Sequence, residues 1–286
     1  MTAAVARTAV RPRARAGAAG RWLKFGVLLV FALIVLIPMY VLLVTSFKPL
    51  AEATAARAWQ LPTVWTVEGW VFAWQELAPS LANSLRMVIP ASIISSVLGS
   101  LNGYVMAKWR FPHSDVVFTL FLFGMFIPYQ AVMIPLVQMM QAADLMGTIT
   151  PLVIAHVVFG IPICTLIFRN YYATLPDQLI EASRVDGAGM LRTYWSIILP
   201  NSAPAFAVTL IWQFTSAWND FLFAVFLTGP SDWPVTVALN NLTGSMVMPY
   251  NQQMAAALLA SLPTLLVYVF LGRFFMRGLM AGALKG

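Results

Sequence analysis

Residues 176–200 read PDQLIEASRVDGAGMLRTYWSIILP, a polar-to-amphipathic island in a chain that is mostly apolar elsewhere. Pro176 fits the first turn of a helix, where a missing N–H is no loss. Asp177 stands against the positive end of the helix dipole. Gly187 suits the left-handed backbone that ends a helix and turns the chain. Beyond it, Leu191, Tyr194, Trp195, Ile198 and Leu199 recur at i, i+3, i+4, i+7 and i+8, one apolar face. Pro200 limits this second segment, because the residue before a proline is biased away from α geometry. The expectation is two short helices meeting at a bend.

Composition sets the class of the rest. Of 286 residues, 60% are hydrophobic and 9% are charged, against a usual charged share of about 25%. Such a chain cannot cover its surface with charge, so lipid is its solvent. The net charge of +7 does not point to nucleic acid, because the basic residues sort to one side of the membrane. Cys164 is the sole cysteine, which excludes an intrachain disulfide and a cysteine-based metal site. It reads as a small packed residue.

The expected fold class is an all-α membrane protein. Residues 1–21 form a basic arm, with Arg7, Arg11, Arg13, Arg15 and Arg21 among Ala and Gly, lacking apolar periodicity and expected to be disordered. Residues 22–286 form the transmembrane domain. The uncharged run from Phe25 to Phe47 is too long for a signal h-region of about 7–15 residues and has no A-x-A-like end. It reads as an uncleaved first span, about 25–46, with Pro38 a kink. Further spans are expected at about 85–107, 116–140, 150–168, 203–227 and 254–272, each near the ~20 residues that cross ~30 Å of hydrocarbon. Pro128 and Pro135 interrupt the third. Residues 48–83, with Trp59, Trp65, Trp70 and Trp74, and residues 229–252 read as external loops.

Charge fixes the orientation. The N-terminal arm through Lys24, the 108–110 turn, the 169–192 loop and the C-terminal tail hold six, two, three and three of the 17 Lys and Arg. The opposite face holds only Lys48, Arg57 and Arg86. By the positive-inside rule, both termini and the 176–200 loop are cytoplasmic.

The loop carries a resemblance. Glu181-Ala182-Ser183, three residues, Gly187, nine residues, Ile197, one residue and Leu199-Pro200 resemble the EAA-x3-G-x9-I-x-LP loop of permease subunits of binding-protein-dependent ABC importers. Only Ser183 departs, standing where Ala is usual. Ser46-Phe47-Lys48-Pro49, Asn102-Gly103-Tyr104 and Trp218-Asn219-Asp220 are similar to carbohydrate-importer permeases, and the tail from Arg277 to Gly286 is similar to the end of the maltose-type second permease. The segment from Leu239 to Asn251 leans toward the glucose/mannose-type members.

That resemblance implies a six-span type I importer domain in the cell inner membrane. Its coupling helix, with Glu181, Ala182, Ser183, Asp186, Gly187, Ile197, Leu199 and Pro200, would dock on a cytoplasmic ATPase dimer. It also implies a second, unlike permease and an extracytoplasmic solute-binding protein as partners. Against this stands a loop that merely packs on its own bundle.

No GxxxxGK[ST] motif is present, so this chain is not expected to hydrolyse ATP itself; the resemblance implies that ATP and Mg are bound by the partner ATPase, with no cofactor in this chain and no enzymatic role for it. His113 and His156 lack metal-ligand spacing, and Met133, Met139, Met140 and Met146 suit flexible packing. Asp220, within an apolar span, is costly unless paired or facing water. Two readings stand: Asn219 and Asp220 line the translocation path, with Trp218 offering a flat face to a sugar, or Asp220 holds neighbouring backbone N–H groups. Tyr129 and Gln130 are further path candidates. The rival functions are a secondary transporter driven by an ion gradient, with Asp220 as its ion site, and a membrane-embedded enzyme, for which no catalytic groups cluster.

Overall fold

The computed structural model describes residues 18–109, 111–244 and 248–283. Most of the basic arm, residues 1–17, lies outside them, as do Arg110 and Lys285. The described chain is helical, and its one β feature is a single bridge between Gly147 and Thr228. In order the helices are α1 (Ala18–Ser46), α2 (Glu68–Lys108), α3 (Ser114–Phe126), α4 (Met133–Ala142), α5 (Thr150–Ala173), α6 (Gln178–Val185), α7 (Met190–Thr193), α8 (Ala203–Trp218), α9 (Leu222–Leu227), α10 (Val235–Thr243) and α11 (Tyr250–Ala283).

Helices α1, α2, α5 and α11 are long and apolar enough to cross a membrane, and the bent pair 190–198 and 200–218 makes a fifth. The expected third span is not one helix. Ile127 is extended, as a residue before proline prefers, and Pro128 opens a six-residue break between α3 and α4. Pro135 sits in the first turn of α4, where it is tolerated. The expected span at 203–227 also divides, into α8 and α9.

Two expected loops are largely helical. Helix α2 runs 41 residues, about 60 Å at 1.5 Å per residue, so it starts well before residue 85. Gly69, Ala73, Leu77 and Leu81 are all buried. Their spacing of four makes a stripe that holds this extension to the bundle, a period masked in the sequence by Glu68, Glu76, Trp70 and Trp74. Within 229–252, α10 buries Val235 and Val237. Ser84 Oγ accepts the Val235 N–H at 2.8 Å, and Asn83 Nδ2 donates to the Ser231 carbonyl at 3.0 Å. Polar side chains of α2 thus hold the backbone of that segment.

The bundle is organised on α2 and α5. Small residues on α2 let the two backbones meet: a Cβ on Gly99 would stand 2.4 Å from Cys164 Cβ, and one on Gly103 2.7 Å from Phe168 Cβ. With Ser92, Ser96 and Ser100 buried on the same helix, this is the small-residue packing that serves where lipid removes any hydrophobic drive between helices. Cys164 is fully buried, as a packed residue should be. Helix α1 keeps most of its apolar side chains exposed, as suits a helix whose solvent is hydrocarbon.

The junction after α1 is tightly held. Lys48 is 1% exposed; its Nζ donates to the Arg57 carbonyl at 2.6 Å, and Asn251 Nδ2 donates to its backbone carbonyl at 3.0 Å. Burial holds its ammonium below the usual lysine range, with Glu52 opposing. With the Phe47 ring 5.5 Å from that of Trp70 on α2, the Ser46-Phe47-Lys48-Pro49 stretch joins α1, α2 and α11.

Candidate functional site

At one end of α5 lies the 176–200 loop, folded as two helical pieces about a bend. Gly187 has φ +73°. The Ala188 N–H reaches the Ser183 carbonyl at 2.9 Å and the Gly187 N–H the Arg184 carbonyl at 3.0 Å, the paired bonds of a Schellman stop. Helix α6 begins at Gln178, with Asp177 as its capping residue but without a side-chain cap bond. The Asp177 carboxylate instead accepts from Lys108 Nζ at 2.5 Å, and that ammonium also donates to the Leu175 carbonyl at 2.7 Å. The end of α2 is thereby tied to the start of the loop.

Helix α6 has two distinct sides. Ile180 and Ser183 are buried. Ser183 Oγ lies 2.8 Å from the Ile180 carbonyl and 2.9 Å from Thr193 Oγ1 on α7, closing the bend from inside. On the other side Leu179, Glu181, Ala182, Val185 and Asp186 are exposed, Val185 at 88%. Glu181 makes no ion pair with a described residue, and Arg184 lies 4.4 Å over the Trp109 ring instead of pairing with it.

The single apolar face expected from Leu191 to Leu199 is split. Residues Tyr194–Ile198 form one π turn, which shifts the helical phase. Tyr194 and Ile198 are buried while Leu191 and Trp195 are about 60% exposed. Ile197 and Leu199 are half-buried and Pro200 is exposed; after it the chain bends by 51° into α8.

Beneath the loop is a cluster that sequence reasoning did not find. Ser100 Oγ lies 2.6 Å from Tyr172 Oη and 2.8 Å from Tyr194 Oη, and Tyr172 Oη lies 2.9 Å from Ser202 Oγ. All four side chains are buried. They belong to α2, α5, the π turn and the turn before α8, so one hydroxyl network joins the loop to three spans. The only sequence signal is tyrosine inside an apolar run, since a buried phenol needs a partner. Tyr104, of the Asn102-Gly103-Tyr104 stretch, adds a bond to the Met190 carbonyl at 3.2 Å.

The other candidate residues lie toward the opposite end. His156, about 25 Å along α5 from its C-terminus at 1.5 Å per residue, faces the break between α8 and α9. A cleft of about 640 Å³ there gathers Tyr129, Gln130, Asn219 and Asp220 with His156. The Asp220 carboxylate accepts the Ala224 N–H at 3.1 Å and the Phe223 N–H at 3.4 Å, capping α9. It therefore has the local backbone role, and it also lines the cleft. Its Oδ2 lies 3.5 Å from His156 Nε2. Trp218 is not presented to this cleft: it is 3% exposed, stacks on Phe214 and donates Nε1–H to the Ala260 carbonyl at 3.0 Å. A flat ring on that side comes from Trp212, 53% exposed and missed from sequence.

Among the described residues, no group of three or more His, Cys, Asp or Glu is placed to hold a metal ion.

Comparison with known proteins follows the same lines. The chain is 40% identical over 236 residues to the xylose/arabinose import permease protein XacI of Haloferax volcanii, covering 74% of this chain and 76% of that one. It is 34% identical over 267 residues to the glucose import system permease protein GlcU of Saccharolobus solfataricus, covering 91% and 93%. Its fold matches a crystal structure of a bacterial ABC transporter involved in the import of the acidic polysaccharide alginate, with a TM-score of 0.79, 22% identity, and 93% of this chain and all of that one covered. The same transporter type has been solved with an alginate pentasaccharide-bound periplasmic protein, with a TM-score of 0.63 and 16% identity over 90% of this chain and 94% of that one. Residues 95–280 match the family model for the binding-protein-dependent transport system inner membrane component, and the chain belongs to that family, as a multi-pass ABC importer permease and not an enzyme.

Proposed function

We propose that this chain is one of two unlike permease halves of an ATP-driven importer for a carbohydrate. An external binding protein delivers the solute, and both termini and the 176–200 loop face the cytoplasm. A cytoplasmic ATPase dimer, which binds ATP and Mg, docks on α6. Closure of that dimer moves the loop as a lever, and the hydroxyl network beneath it carries the motion into α2, α5 and α8. Tyr129, Gln130, Asn219 and Asp220 line the solute path.

The observation that carries this reading is the two-sidedness of α6. Ser183 ties it inward to Thr193, while Glu181, Ala182 and Val185 stand outward with no partner in the described chain. Leu179, Ala182 and Val185 fall at i, i+3 and i+6, so the exposed apolar residues share one side of the helix beside Glu181, a surface suited to a partner. The relatives named for xylose/arabinose and for glucose support a sugar as solute. They do not favour the ion-gradient reading.

The test is uptake by proteoliposomes containing the permease pair and the ATPase, with the binding protein outside. Uptake that needs internal ATP and survives collapse of ion gradients is expected. Uptake driven by an imposed ion gradient without ATP would overturn the proposal.

A further inference from the structure

We propose that the cleft at His156 and Asp220 is a solute subsite on this chain that takes neutral polyhydroxylated solutes and rejects carboxylated ones. This rests on the importer reading above, and it adds His156 and a charge rule to it.

The side chains of His156 and Asp220 are 7% and 10% exposed. Burying two ionisable groups within apolar spans is costly and marks a solute pathway more often than packing. Packing gives Asp220 the two backbone N–H groups of α9 but leaves His156 unsatisfied. At 3.5 Å their separation is too long for a good hydrogen bond, and His156 Nε2 has no hydrogen-bond partner. The rest of that residue is committed: its carbonyl accepts Gln213 Nε2–H at 2.8 Å. Gly160 leaves the room for this bond, since a Cβ there would meet the Gln213 amide at 2.5 Å. The fold thus holds the backbone at His156, the imidazole packs edge-on against the Phe223 ring, and Nε2 is left unused beside a carboxylate.

A sugar hydroxyl both donates and accepts, so one hydroxyl can donate to Asp220 Oδ2 while a neighbouring one engages His156 Nε2. Asn219 Nδ2 is taken by the Thr215 carbonyl at 2.8 Å, which leaves its amide oxygen as an acceptor. Gln130 offers an amide from the α3–α4 break. Trp212 adds an apolar ring on the same cleft. The volume of about 640 Å³ falls in the usual range for small-molecule sites.

The charge rule comes from what is missing. No lysine or arginine is among the described residues that line this cleft. A carboxylated sugar would set its charge against Asp220, with no lysine or arginine on the cleft to offset it. Unpaired like charges of this kind discriminate strongly against the wrong ligand.

The experiment uses the assembled importer in detergent. Ser216→Cys puts a thiol on the exposed lining of the cleft, in a chain whose native Cys164 is fully buried. Its labelling rate with a neutral maleimide is measured with D-glucose, D-xylose or D-glucuronate at equal concentration. At least threefold slowing by a neutral sugar and none by glucuronate is expected. Adding Asp220→Asn should let glucuronate protect as well, and adding His156→Leu should abolish protection by the neutral sugars in a complex that still co-purifies with the ATPase. Protection by none of the sugars, or equal protection by glucose and glucuronate, overturns the proposal. ATP-dependent uptake by the same complex after reconstitution into proteoliposomes separates this outcome from failure of the importer reading.

Discussion

Ser183 Oγ lies 2.9 Å from Thr193 Oγ1, both side chains are buried, and the two residues flank the bend at Gly187. The contact divides the Glu181-Ala182-Ser183 triplet. Its third member belongs to the inside of the loop, while the first two face outward. Small size matters at Ser183 because α7 lies close, and at Ala182 because nothing in the described chain covers it.

Adjacent leucine substitutions should therefore fail in different ways. Ser183→Leu forces a larger side chain into a closed contact and should cost about 1–3 kcal/mol, seen as a lower Tm of the detergent-solubilised permease. Ala182→Leu should leave Tm unchanged, since its side chain enters open space.

Gly187 needs its positive φ but not its missing side chain. Nothing lies within 4 Å of a Cβ built there, so substitution acts through the backbone alone, about 1–2 kcal/mol for an ordinary residue. Gly187→Val should insert normally yet lose ATP-driven uptake, whereas Gly187→Asn, whose side chain tolerates the left-handed region, should keep most of it. Uptake measured at matched membrane expression distinguishes them.

Tyr194→Phe removes one hydroxyl from the Ser100–Tyr172–Ser202 network and leaves the ring packing intact. Ser100 keeps Tyr172 as a partner, so the loss is that of one net hydrogen bond, about 0.5–1.5 kcal/mol. If this network carries the lever's motion, solute moved per ATP hydrolysed should fall several-fold while ATPase remains bound. A lower Tm with an unchanged ratio would assign the network to stability alone.

Asp220→Ala removes the cap of α9 and should lower Tm by an amount equivalent to about 0.5–2 kcal/mol. Asp220→Asn keeps one of the two oxygens, enough for the shorter bond from the Ala224 N–H, and should lower Tm by less than the alanine variant does. Thermal unfolding of both variants, side by side, checks this.

Much of the architecture was legible because lipid imposes a simple rule: long apolar runs become spans. The bend at Gly187 was legible because helix stops have local chemistry. The extension of α2 before residue 85 was not, because its buried stripe of Gly69, Ala73, Leu77 and Leu81 is written in small and medium residues between charges and tryptophans. The break at 127–132 showed only as Pro128. The π turn at 194–198 has no sequence signature, so a sound 3.6-residue pattern wrongly placed Leu191 and Trp195 beside Tyr194. Asp220 stood out by cost alone, and its neighbour His156 did not, since a distance across α5 and α9 is set by packing and not by spacing.

The most direct test of the central claim is co-purification of the ATPase with tagged permease at two salt concentrations. A partly desolvated charged hydrogen bond at Glu181 is worth about 1.5–3 kcal/mol, so its loss should weaken association about 10- to 150-fold. Glu181→Lys should lose the ATPase at both salt concentrations, and Ala182→Leu should lose it by steric exclusion with no change in charge. If both variants retain the ATPase as well as the parent does, α6 is not the docking element and the account is contradicted.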